Sequence, residues 1–119
     1  MDGRTEQYDF RRVSVTALVP AFARGEHTQI PWAKEMLAIL RDRGATLAGS
    51  AWSDLSTYDA AHFAEARFRA VSRLLEEKGA TQVLELAAGL SPRGMDFAQR
   101  GVVYVEADLA ESTAMKREL

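Results

Sequence analysis

Cysteine is absent from the 119-residue chain, which excludes disulfides, thiolate chemistry and cysteine-ligated zinc together. Histidine is scarce: His27 and His62 stand far apart in sequence and do not suggest a structural metal site. A large excess of either charge is missing as well. The balance of 15 Lys and Arg against 17 Asp and Glu leaves a formal charge of −2, which gives no electrostatic reason to hold a polyanion. Nucleic acid is therefore not an expected partner. No run approaches the roughly 20 apolar residues that span a bilayer, and the opening MDGRTEQYDF lacks the apolar stretch of a secretory signal. The expectation is a cytoplasmic protein with no membrane partner, long enough for one core and no more.

What is present is helical grammar. VSVTALVPAFAR, from Val13 to Arg24, is mostly apolar and carries Pro20, which predicts a helix that kinks or restarts there. IPWAKEMLAILRDRG predicts a second helix. Pro31 suits its first turn, Ala33, Met36, Leu37 and Leu40 recur at helical spacing, and Gly44 is its stop. After a loop through Gly49, a long helix is predicted from about Asp59 to Lys78. Phe68, Val71 and Leu75 share one face, and Glu65–Arg69 and Arg73–Glu77 form i,i+4 pairs on its exposed side.

The remainder changes period. TQVLELA predicts a strand, SPRGMDFAQR a short helix closed by Gly101, VVYVEADL a second strand, and ESTAMKREL the start of another helix. Both strands are near-continuous apolar runs, as parallel strands covered on two faces are. Between the first strand and its helix stands a turn of small residues, Ala87, Ala88 and Gly89. Such a turn lets a ligand approach the backbone, and an acid ending the next strand accepts bonds from ribose hydroxyls. Glu106 and Asp108 both qualify.

Glu85 discriminates between adenosine-containing cofactors. A dinucleotide places pyrophosphate near this turn, where a carboxylate repels it, whereas S-adenosylmethionine has no phosphate and carries an ammonium group that a carboxylate attracts. The cofactor's own carboxylate then requires a cation, for which an arginine on the preceding helix is suited. The same residues also allow structural readings. Glu85 can be held by Arg67 or Arg93, Arg93 can simply cap the turn, and Glu106 can pair with a neighbouring arginine.

Taken in order, ARFRAVSRLL, QVLELAAGLSPRG and VYVEADL, with SVTALV and Arg24 more loosely, resemble the leucine carboxyl methyltransferase-like family of class I S-adenosylmethionine-dependent methyltransferases. The resemblance implies an α/β, partial Rossmann-like methyltransferase fold, with an N-terminal helical cap over 1–58 and the first part of the cofactor domain over 59–119. It also implies O-methylation of a carboxyl or hydroxyl group on a small molecule or a peptide terminus. By position it gives Arg67 the cofactor carboxylate, Ala87, Ala88 and Gly89 the small-residue turn, Arg93 its closure and Asp108 the ribose, with Arg24 near the carboxyl end. Alanine at Ala87 departs from the family's usual glycine.

In that family the sheet has seven strands, and here only two are expected. Two parallel strands alone leave backbone edges and apolar faces open. The expectation is an N-terminal portion of a longer enzyme, or a chain that associates with itself or a partner to cover the sheet. Two rivals are a non-catalytic association module derived from the fold and an NAD-binding oxidoreductase fragment. The latter is disfavoured by Glu85, by the missing G-x-G-x-x-G and by the long helical segment before the first strand.

Overall fold

Apolar residues at helical spacing fill the first two thirds of the chain, and three helices form there. The structure is a computed structural model that describes residues 7–12, 15–48 and 57–119. The expected helix start at Val13 and Ser14 and the expected loop at Gly49 lie outside the described residues.

After a short 3-10 turn at Phe10–Arg12, helix α1 spans Val15–His27. It runs through Pro20 instead of restarting there, because one proline removes a single backbone donor, while Leu18, Ala21 and Phe22 go on burying one face. Helix α2 spans Ala33–Asp42 and buries the four residues expected of it, Ala33, Met36, Leu37 and Leu40. Pro31 lies in the turn ahead of this helix, not in its first turn, and Trp32 adopts a left-handed φ of 69° between the two. Gly44, at φ 95°, ends the segment as its position predicts. The two helices cross closely at Gly25, where an added Cβ would fall 2.5 Å from Leu37 Cβ. Leu18, Phe22, Met36, Leu37 and Leu40 form the main core, closed from the far end of the chain by Leu90 and Met115.

Helix α3, Thr57–Glu77, packs on α1 and buries Phe68 against Ile30 and Ala33. The expected apolar face is rotated by one position. Ala61, Phe68 and Ser72 are the buried stripe, whereas Val71 lines a cleft and stays exposed. The two i,i+4 ion pairs form at 2.8 Å each.

Strand β1, Gln82–Leu86, pairs in parallel with β2, Val103–Ala107, so that Leu84 faces Val105 and Glu85 faces Glu106. Helix α4, Arg93–Gln99, crosses between them, and α5, Ala110–Glu118, follows. The result is a mixed helix and strand domain on a small two-stranded parallel sheet, compatible with an α/β class. Coverage of both sheet faces, expected from the apolar runs, is not observed. Val83, Glu85, Tyr104 and Glu106 are partly buried, but Leu84, Leu86, Val103 and Val105 are between 53% and 72% exposed. Alternation places these four side chains on the opposite face, and none of the described helices packs over them.

Candidate functional site

The site begins where β1 ends. Ala87 takes a left-handed φ of 53° while its N–H donates to Ala107 O at 2.8 Å, and Gly89 takes φ 53° two residues later. Two left-handed residues reverse the chain within a few positions, at no steric cost to the glycine and at some cost to the alanine. Asp108, just past β2, locks this reversal: Gly89 N–H donates to its Oδ2 at 2.7 Å, and Leu109 N–H to its Oδ1 at 2.7 Å. Asp108 thus has a local structural use. Leu90, Ser91 and Pro92 then descend into the interior and deliver Arg93, itself buried, to the start of α4.

Arg93 is the hub beneath the turn. Its Nη1 donates to Glu85 Oε1 at 3.2 Å, its Nε to Ser72 Oγ at 3.3 Å and its Nη2 to Phe68 O at 3.3 Å, with the guanidinium 4.4 Å above the Phe68 ring. Glu85 Oε2 accepts from Tyr104 Oη at 2.6 Å. Burial, reinforced by the hydrogen bond to Glu85, raises the Tyr104 hydroxyl well above its ordinary value, so it remains a donor. Glu106 faces the same layer but is taken by Lys116, whose Nζ lies 2.6 Å from Oε2 and also donates to Ser91 O at 2.7 Å.

A cleft of about 460 Å³ opens above this layer, between α1, α3 and the turn. It brings together six of the eight residues singled out in the sequence: Arg67, Glu85, Ala87, Ala88, Gly89 and Arg93. Arg24 joins them from α1. Burial, and then the nearby charge of Arg93, lower Arg24 to about 10, partly offset by Glu85. Arg67 stands at the mouth, 5.9 Å over the Phe63 ring. Among the described residues neither Arg24 nor Arg67 has an ion pair with a carboxylate. Glu106 and Asp108 line a different cavity, of about 530 Å³, which meets the first across Ala88 and Gly89.

Sequence reasoning missed Tyr104, Ser72 and Lys116. Strand alternation was a signal for Tyr104, since it shares a face with Glu106 and so with Glu85. Ser72 and Lys116 have no such signal, because their partners are fixed only by how the helices dock. Compared with protein-family models, with curated proteins and with solved structures, the chain has no match.

Proposed function

We propose that this chain carries the cofactor site of an S-adenosylmethionine-dependent O-methyltransferase, acting on a carboxyl or hydroxyl oxygen of a small molecule or peptide terminus. In this reading β1, α4, β2 and α5 form the opening of a Rossmann-like methyltransferase fold. The observation that carries it is the pair Arg24 and Arg67, two guanidiniums without a carboxylate partner among the described residues, set over a left-handed turn of small side chains. Arg24 is withdrawn from water beside Arg93, a cost that a bound anion offsets, and a carboxylate fits the guanidinium fork of the exposed Arg67 as well.

When bound, S-adenosylmethionine supplies a methyl group on a sulfonium sulfur, which an acceptor oxygen takes by in-line displacement. Arg24 and Arg67 hold the carboxylate end. The Ala87 to Gly89 turn brings backbone close to the ligand without side chains in the way. Asp108 keeps Gly89 in place and retains lone pairs for ribose hydroxyls, because a carboxylate accepts about four hydrogen bonds. These residues bind and orient, and no general base is assigned. The test is calorimetric titration with S-adenosylmethionine and S-adenosylhomocysteine. Saturable binding is expected, weakened about tenfold or more in Arg67→Ala and Asp108→Ala, the scale of one charge-assisted hydrogen bond. Failure of the unsubstituted chain to bind either ligand removes the reading.

A second reading rests on the open sheet face: a non-catalytic module that pairs with a second copy of itself. The face contains Gln82, Leu84 and Leu86 beside Val103, Val105 and Ala107 and carries no charge, so it is complementary to its own image. Stable self-association without nucleotide binding favours it.

A further inference from the structure

Charge reasoning on the sequence sets Glu85 against a ligand's ammonium group, but in the fold its charge is met from within. Oε1 takes the Arg93 guanidinium and Oε2 the Tyr104 hydroxyl. Arg93 is anchored in turn to Ser72 and to the Phe68 carbonyl. The Glu85 charge is therefore neutralised by an arginine that α3 holds in place. Arg24 and Arg67 remain. Among the described residues, three arginines and one glutamate are the charged lining of the cleft, an excess of two positive charges.

That excess selects ligands. An amino-acid end brings one negative and one positive charge and leaves that excess unchanged. An oxyanion without an ammonium group, above all a phosphate dianion, matches the charge and the planar, multiply donating geometry of arginine.

We infer that the cleft is an oxyanion site in its own right, with Glu85 as its internal counter-ion, and that it accepts phosphate, free or as the monoester of a small molecule, as well as carboxylate. The inference shares its cleft with the proposed cofactor site and does not require that cofactor.

The experiment titrates inorganic phosphate and ribose 5-phosphate into the full chain at constant ionic strength, by calorimetry and by amide chemical shifts. Arg24→Met, Arg67→Ala and Glu85→Gln are run in parallel, each checked for folding by thermal melting. The expected result is saturable binding that weakens about tenfold in each arginine variant and tightens in Glu85→Gln. Arg67 is exposed, so its variant keeps the test valid even if Arg24→Met or Glu85→Gln unfolds. Tighter binding of ribose 5-phosphate identifies an organic phosphate as the ligand, and equal binding identifies the free ion. Absence of phosphate binding, or binding indifferent to Arg67→Ala, overturns the inference. Phosphate binding without S-adenosylhomocysteine binding keeps the oxyanion site and removes the methyltransferase reading. The reverse pattern, with S-adenosylhomocysteine bound and losing affinity when its amino group is removed, does the opposite.

Discussion

At the scale of single residues, the cleft holds two kinds of stored cost, one in charge and one in backbone. Arg24 is kept cationic although burial and Arg93 both oppose it. Replacing a buried, only partly compensated cation with an apolar side chain of similar length is often neutral or stabilising. Arg24→Met is therefore expected to melt at the same or a higher temperature than the parent while losing about tenfold in anion affinity. A lower melting temperature with unchanged affinity would contradict both assignments. Ala87 carries the backbone cost, at φ 53° where an L side chain is strained by about 1–2 kcal/mol. Ala87→Gly is expected to raise stability in denaturant titration by up to about 1 kcal/mol, the strain relief exceeding the glycine entropy. Gly89→Ala is expected to lower it by a similar amount. The nearest side-chain atom to an added Cβ there, that of Ala17, is 3.9 Å away, so crowding is not the reason.

At the scale of elements, α4 is seated on β2 by glycine and by a tyrosine that cannot ionise freely. An added Cβ at Gly94 would lie 2.8 Å from Glu106 Oε1 and 3.1 Å from the Tyr104 ring. Gly94→Ala is expected to destabilise by about 1–3 kcal/mol through overpacking. Tyr104 supplies a pH signature. Its folded value is raised above the ordinary 10.0, so above about that pH the folded chain keeps a proton that the unfolded chain has lost, and stability falls as pH rises. Arg24 acts with the opposite sign over an overlapping range, since its folded value is lowered from 12.5 to about 10. The difference between parent and Tyr104→Phe isolates the tyrosine. Denaturant titrations from pH 8 to 11 are expected to show the parent's advantage over Tyr104→Phe shrinking above about pH 10. A difference independent of pH would mean that the hydroxyl makes no stabilising bond to Glu85. The helices themselves were legible in advance because apolar spacing, glycine stops and i,i+4 pairs are local signals. The rotation of α3 was not, because Phe68, Val71 and Ser72 are neighbours on one arc, and only docking onto α1 decides which of them are covered.

At the scale of the whole molecule, the sheet has one closed face and one open face. Leu84 and Val105 stand opposite each other on the open side. In the reading as a self-pairing module, this apolar patch is the surface on which two copies meet. Light scattering is expected to show self-association at micromolar concentration, and Leu84→Lys with Val105→Lys is expected to return the chain to monomer with its circular dichroism intact. A parent that stays monomeric and melts cooperatively would show that the open face is tolerated in water. No described helix is long and apolar enough to cross a membrane.

The amino-acid sequence by itself determined the order of elements from α1 to α5, the parallel pairing implied by a crossover helix between two apolar runs, and the small-residue turn at Ala87 to Gly89. The helices and the turn depend on neighbours within a few positions, and the parallel pairing on the crossover between two apolar runs. Tertiary structure alone decided the partners of charge. Glu85 closes on Arg93 and Tyr104, Arg93 reaches Ser72 and Phe68, and Lys116 captures Glu106, over separations of 8 to 25 residues. A carboxylate or guanidinium has the same attraction for many partners. Strand register and helix rotation leave only these few within bonding distance, and no local pattern encodes that choice.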